Sequence, residues 1–343
     1  MNFFSRRWSR IIQAAFRPAA PGCAALVLLV GAAIPPAMRA DCDSPQWQVT
    51  DGLRGMNGAV RATHLWPRPG QEPVLVAAGD FAIAGTAFAS RIARWNGAAW
   101  EPLGAGVPVG SVWSLASLPN GDLVAGGNFQ RARHRLASRI ARWDGTTWSP
   151  LGSGLGTLNT TIVRALAVLP DGDLVAAGRF TTAGGKAAAN IARWNGSEWF
   201  PLGAGLGSGV FDVSALLVTP AGELIAGGNF TSSGSSPVPG VARWNGEAWL
   251  PYGAGVTGNL YALGLLPDGA LIAAGDGIRA ADDLTQRNVL RWDGTRWLGL
   301  SAAVPAGPVT WALAVLSDGT LVSGQSSVHI WHGVAWPPRG RGP

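Results

Sequence analysis

Four histidines, His64, His134, His329 and His332, are the first place to look for chemistry. A metal or catalytic role would set them at short, fixed intervals from cysteines or paired carboxylates, and none stands at such a spacing. His332 takes the Asn/Asp position of a hairpin turn that recurs along the chain, which is a structural role. The run Asp171-Gly172-Asp173 suggests calcium, but a calcium loop needs several more oxygen ligands in register. Its counterparts, Asn120-Gly121-Asp122 and Asp268-Gly269-Ala270, show that the second acid is dispensable within the repeat, so turn chemistry accounts for it. No Gly-x-Ser-x-Gly elbow joins a strand to a helix. Glycine-rich segments such as Gly152-Ser153-Gly154-Leu155-Gly156 precede strands rather than helices, so they do not form a phosphate cradle. The expectation is no catalytic residue, no metal ligand and no cofactor.

Tryptophan is the other chemically informative residue. Ten of the tryptophans form five complete pairs: Trp95 with Trp100, Trp143 with Trp148, Trp194 with Trp199, Trp244 with Trp249, and Trp292 with Trp297. Trp331 with Trp336 makes a sixth. Exposed, they would be platforms for sugar rings. Because they recur in step with strand patterns, they are expected to be structural core. Trp66, Trp113 and Trp311 fall outside the pairs. Trp113 and Trp311 lie in apolar first strands and are candidates for ligand contact.

The elements that carry these residues repeat. A phrase Trp-(Asn/Asp)-Gly-x-x-Trp starts at Trp95, Trp143, Trp194, Trp244 and Trp292, and returns as Trp331-His332-Gly333 with Trp336. The intervals are 48, 51, 50, 48 and 39 residues. Each phrase follows an apolar run, a turn such as Pro170-Asp171-Gly172, and a second run that ends at Gly79, Gly127, Gly178, Gly228, Gly275 or Gly324. Short runs of Val, Leu, Ile and Trp bounded by Gly, Pro, Asn and Asp are strands, four to a unit. Asn-Gly between the last two predicts a two-residue hairpin turn, with positive φ at both positions. In that register Trp95 faces Ala98 and Ala93 faces Trp100, so the two tryptophans share one face of the sheet. Arg94, Arg142, Arg193, Arg243 and Arg291 then point to the other face.

A sheet that is apolar on both faces must be covered on both. Radial stacking of like sheets does this and leaves only short edges, and four strands in about 40–50 residues is the propeller period. The fold expected is all-β, a six-bladed β-propeller of four-stranded repeats of about 48–51 residues each. The units span about 60–103, 112–151, 162–202, 212–252, 260–300 and 309–338, within a single domain of residues 41–343. Residues 45–53, with Trp47, are expected to supply a closing strand.

Residues 1–40 read as a secretory signal, with an Arg-bearing start, an apolar stretch from Cys23 to Ile34, and small residues at Ala37–Ala40. Ser5-Arg6-Arg7 has the arginine pair of a twin-arginine signal, but Ser9 and Arg10 replace the hydrophobic residues that should follow. No later segment is long and apolar enough for a membrane helix, which takes about 20 residues. The leader holds five arginines and no acid; removing them from the 26 basic residues leaves 21 against 20 acids. Five of the six formal positive charges therefore belong to the leader, and a nucleic-acid partner is not expected. Cys42 is the single cysteine beyond the leader, so no internal disulfide can form.

An arm joins the terminal glycine to the first Trp of each phrase, over a distance of 16 residues in units one to four, 17 in unit five and 7 in unit six. Constant length with divergent composition marks these arms as the variable loops of a rigid scaffold, where binding tends to reside. Arg131, Arg133, His134 and Arg135 in unit two, and Asp276, Asp282 and Asp283 in unit five, are the candidate binding residues.

The glycine-ended second strands, Gly126-Gly127 and Gly227-Gly228, with the outer segments Trp148-Ser149-Pro150-Leu151 and Trp249-Leu250-Pro251, resemble kelch-type propellers. The likeness extends to uncharacterised exported bacterial repeat proteins and to the propeller of fungal cortical polarity markers. The double glycine is complete only in units two and four. The resemblance implies an interaction scaffold, and fold alone does not assign function. The expectation is an exported, non-catalytic binding or structural module for a protein or polysaccharide, at the cell envelope or outside the cell. The alternative is an exported hydrolase or lyase with its site at the propeller axis.

Overall fold

The computed structural model describes residues 55–331, apart from 69, 133–134, 157, 208–211, 284–286, 300–308 and 325–327. The leader, Cys42, Trp47, the closing strand expected at 45–53, Arg133, His134, His332 and Trp336 lie outside the described residues. Within them the secondary structure is strand and turn throughout. Five four-stranded antiparallel sheets follow one another, and a sixth shows three strands. Unit one runs Val60–Arg68, Gln71–Gly79, Ile92–Trp95 and Trp100–Pro102, hydrogen-bonded in chain order, and the next four units repeat this. The first strands, Val60–Arg68, Val112–Ser117, Ile162–Val168, Val213–Val218, Val256–Leu265 and Ala312–Val315, pack side by side in that order. Antiparallel pairing puts the two hairpin turns of each unit on one rim. The arms and the connections between units therefore share the other.

The tryptophan hairpin differs from the expected register. Trp95 pairs with Trp100, Arg94 with Glu101 and Ala93 with Pro102, so the loop is the four residues Asn96–Ala99. Only Gly97 has positive φ there. Asn96 earns its place through its side chain, whose Oδ1 accepts from the amides of Ala98 and Ala99 at 2.9 and 2.8 Å. Asp144, Asn195, Asn245 and Asp293 accept from the equivalent amides. An Asx turn of this kind wins over the two-residue turn because it satisfies two backbone donors at once. Direct pairing still leaves the two indoles on one face, with ring centroids 5.4 Å apart in units one to three.

In units two to five the indole pair clasps the preceding unit. Trp148 Nε1 donates to the Leu103 carbonyl at 2.8 Å, and Trp199 to Leu151, Trp249 to Leu202 and Trp297 to Tyr252 at 3.0–3.1 Å. The partner indole presses its benzo ring against the next residue, a glycine. A Cβ on Gly104, Gly152, Gly203 or Gly253 would stand 2.5–2.8 Å from Trp143, Trp194, Trp244 or Trp292. This packing explains the Leu-Gly-x-Gly segments. Trp148 and Trp199 are 2% and 1% exposed, whereas Trp100, Trp244 and Trp292 are half-buried. Met56 meets unit one as Leu155 meets unit three: it bridges Ala84 and packs on Phe81 and Ala89, while Leu155 bridges Ala183.

The arginines of the third strands face away from the indoles and are paired within their own units. Arg142 meets Asp122, Arg193 meets Asp171 and Asp173, Arg243 meets Glu223, and Arg291 meets Asp268. The second acid of the Asp-Gly-Asp turn is thus the ion-pair partner in units two to four. Unit five, with Ala270 there, uses Asp268 instead.

A Trp cut to Ala in a tight core costs about 3–5 kcal/mol. Trp199→Ala should approach that range, because it also strips the Leu151 carbonyl of its donor. Lys186→Ala removes only an exposed pair with Glu198 and a contact with Phe200, worth under about 1 kcal/mol. Thermal or urea unfolding of both variants checks this, and equal effects would mean that the indoles do not hold the core.

Candidate functional site

The arms are built hairpins. After each terminal glycine a phenylalanine, Phe81, Phe129, Phe180 or Phe230, is buried at 0–2% exposure and anchors the arm. A two-residue ribbon follows, such as Arg131–Ala132 with Arg135–Leu136 or Thr182–Ala183 with Lys186–Ala187. The chain returns through a left-handed residue: Arg91, Arg139, Asn190 or Gly240, with φ of 65–75°. Positive φ is uncommon outside glycine, and here the side chains anchor it. Arg139, 3% exposed, donates to the Thr161 and Leu158 carbonyls, and Asn190 to that of Leu206. Unit five has no ribbon; Leu271–Ala280 simply runs on, pairing with Arg287.

This geometry separates the candidate binding residues. Arg131 pairs with Leu136 and Arg135 with Ala132. Partners share a side and neighbours alternate, so the two exposed arginines leave opposite faces of the ribbon. The acids are on unit five: Asp276 lies in the second strand opposite Asn259, and Asp282 and Asp283 are exposed beyond Ala280. The arm charges therefore do not form one cluster.

A second feature of the same rim comes from the terminal glycines. None of Gly79, Gly127, Gly178, Gly228 and Gly275 has positive φ. What they permit is contact: a Cβ on any of them would lie 2.0–2.1 Å from the carbonyl oxygen of Ala59, Ser111, Ile162, Asp212 or Asn259. At that crossing the first strand skips a residue of its ladder. The skipped residues are Arg61, Trp113, Arg164, Ser214 and Tyr261. Counting back five from the residue that leads the turn, Leu118, Leu169, Thr219 or Leu266, finds the last four of them, and from Leu316 it finds Trp311. A bulge re-aims its side chain, and here it does so once per unit at the entry end of each first strand.

The re-aimed side chains gather in two groups, one around Trp113 and one around Tyr261. The Arg61 guanidinium sits 3.8 Å over the Trp113 ring and that of Arg164 4.9 Å from it. Arg61 also holds Asp80 through two bonds of 2.8 and 2.5 Å, and Arg164 holds Asp212 at 3.1 Å. Tyr261 stacks on Trp311 at 4.6 Å and 22°, and Trp311 is 59% exposed. Burial pushes the Tyr261 phenol up, with Asp276 adding to the push and Arg164 opposing it. Sequence reasoning had picked out Trp113 and Trp311 but not Arg61 or Tyr261; the five-residue count from the turn is the signal that finds Tyr261.

Lower along the first strands, His64 Nε2 lies 2.7 Å from Ser117 Oγ, and burial holds the imidazole below its ordinary pKa. The opposite rim carries a cavity of about 360 Å³ between units one and two, lined by Trp66, Arg68, Arg94, Asp122 and Asp144 among others. Trp66 is structural, 3% exposed and donating to the Gly121 carbonyl at 2.7 Å. Among the described residues, no group of three or more His, Cys, Asp and Glu is placed to hold a metal. No helix among them is long and apolar enough to cross a membrane.

Residues 169–196, which hold the Asp171 turn, the second strand, the arm and the third strand of unit three, match the model of a β-propeller domain of unknown function, DUF5122. With six like sheets stacked by their first strands, the architecture is decided. The chain is a β-propeller. Its first strands line the axis, and the bulge residues stand at the axial mouth. No curated protein matches the chain. Solved structures similar to the propeller include the WD40 propeller domain of Doa1, 13% identical, covering 82% of this chain and 95% of that one with a TM-score of 0.38. Virginiamycin B lyase from Staphylococcus aureus is 10% identical over 81% and 86%, with a TM-score of 0.48. A gluconolactonase from Xanthomonas campestris is 15% identical over 82% and 84%, with a TM-score of 0.42.

The His64 shift gives a pH dependence. Below its ordinary value of 6.5 the unfolded chain takes up a proton that the folded propeller resists. Stability contributed by the neutral ring is therefore complete above that pH and is lost as pH falls through the depressed folded value. The unfolding midpoint of wild type should fall more steeply than that of His64→Gln between pH 7.5 and 5. Parallel curves would contradict the burial of this ring.

Proposed function

We propose that this propeller is an exported, non-catalytic binding module that holds a protein or polysaccharide partner on its arm-bearing rim, at the cell envelope or outside the cell. One observation carries the reading. The exposed large hydrophobic side chains among the described residues are Val60, Ile83, Phe88, Val109, Leu136, Leu158 and Trp311, at 39–75% exposure, and all seven lie on that rim. The opposite rim presents Asx turns and ion pairs. Exposed apolar side chains are ordinary when scattered, but gathered on one face they mark a contact surface. The kelch-like and cortical-marker-like pattern of the outer strands fits the same kind of scaffold. The leader supports export; terminal sequencing of the secreted protein should start near Asp41, and an intact Met1 would contradict cleavage.

The test compares the two rims. Phe88→Asp with Leu136→Asp should reduce capture of extracellular partners by about tenfold or more, scored by both protein identification and sugar analysis. Ala98→Asp, on a turn of the opposite rim, should leave capture unchanged. Equal capture by all three proteins would sink the rim reading.

A hydrolase or lyase working at the axis is the second reading, and the Ser117–His64 contact favours it, since an activated nucleophile needs a hydroxyl beside a base. Under it, Ser117→Ala should abolish turnover of a chromogenic ester. Under the binding reading, wild type and variant are equally inert.

A further inference from the structure

We infer that the axial mouth binds an uncharged carbohydrate, with the exposed face of Trp311 as the stacking platform and the Arg61–Asp80 and Arg164–Asp212 pairs as its hydroxyl contacts. The inference rests on reading the arm-bearing rim as the working face, and it adds a ligand class to it.

The platform comes first. An indole that is 59% exposed stands apart from the paired indoles of units one to five, which are buried or half-buried. Trp311 is backed on one side by Tyr261, with planes 22° apart, so its orientation is held while most of the side chain stays exposed. A flat, rigid, apolar plane of this size matches the C–H face of a pyranose ring. Stacked aromatic contacts add to the area they bury.

The charges decide the ligand class. Each guanidinium at the mouth already has a carboxylate: Asp80 for Arg61, and Asp212 for Arg164, with Arg179 Nε also 3.7 Å from Asp212. A sulfate or phosphate would have to displace a carboxylate to gain what that carboxylate now supplies. A hydroxyl accepts from the guanidinium and donates to the carboxylate without breaking the pair. Such a mouth offers donors and acceptors in fixed, alternating positions and little net charge, which suits vicinal hydroxyls. Trp113 lies under Arg61, so it steadies that guanidinium rather than receiving a sugar.

The bulges make this a feature of the fold. Units one to five each release one side chain from the ladder at the same step of the first strand, whatever the residue is, and Trp311 holds the equivalent step in unit six. The occupants therefore set specificity while the glycine crossings set position.

The probes are cellohexaose, laminarihexaose, maltohexaose, mannohexaose and chitohexaose, with hexagalacturonate as the acidic control, each titrated into the purified propeller by calorimetry and tryptophan fluorescence. At least one neutral hexasaccharide should bind saturably, with an affinity unchanged between low and high salt. Trp311→Ala should weaken that binding about tenfold, and Trp311→Phe should restore most of it. The side chain is exposed, so both variants should keep the wild-type unfolding midpoint. Binding of the acidic probe alone, of no probe, or of neutral probes with equal affinity by wild type and Trp311→Ala would overturn the inference. If no probe binds while Phe88→Asp with Leu136→Asp still abolishes partner capture, the rim stands and only the ligand class falls. If capture is also unaffected, the rim reading falls with it.

Discussion

The hydrogen bond from an outer-strand indole to the carbonyl of the preceding unit is the contact on which the propeller depends. Trp148, Trp199, Trp249 and Trp297 each make it, and each makes it across a unit boundary. Its direct worth is about 1 kcal/mol net. Its larger effect is positional. The carbonyl belongs to the residue before a glycine, and that glycine must lie under the neighbouring indole of the same pair. One short segment is thereby fixed in two directions, by a donor at its edge and an aromatic face above it. A repeat joined only by greasy contact would slide; this one has a register between units as definite as the register within them.

The terminal glycines impose the second constraint, and it leads from packing to function. Two backbones cross so closely at Gly79, Gly127, Gly178, Gly228 and Gly275 that a methyl group would overlap a carbonyl oxygen. The first strand responds by dropping one residue from its ladder. That residue no longer packs between sheets and turns to the axis. Gly324 shows the contrast: nothing lies closer to its position than 3.4 Å, and the sixth sheet pairs without a skipped residue. A glycine that looks like a strand terminator in the sequence is, in space, what supplies the mouth with side chains.

The two rims divide the work. One is made of turns whose Asn or Asp side chains satisfy backbone amides and whose acids neutralise third-strand arginines. The other carries anchored arms, left-handed arginines tied to neighbouring loops, and the exposed apolar side chains. Order in the arms lowers the entropy lost when a partner is captured. Exposed apolar surface is tolerated there because the arm ribbons satisfy their own amides and each is anchored by a buried phenylalanine.

By itself, the sequence determined the strand content, the six-fold repetition, the pairing of tryptophans on a common face and the constant arm length. All of these are periodic, and periodicity survives in one dimension. Trp113 and Trp311 could be singled out because they broke the pattern. Tertiary structure decided the rest. The turn at Asn96-Gly97 has four residues because its side-chain hydrogen bonds outweigh the two-residue geometry, a competition that composition does not reveal. Arg131 and Arg135 are neighbours in the sequence but leave opposite faces of a ribbon, so a charge run there was not a charge cluster. Arg61, Trp113, Arg164, Tyr261 and Trp311 are spread over some 250 residues; they share one rim because five units bulge at one crossing and the sixth places Trp311 at the same step. The count from each turn marks the positions, but which of those side chains touch is decided only when the units stack. The distance that matters there is set by backbones touching, not by residues counted.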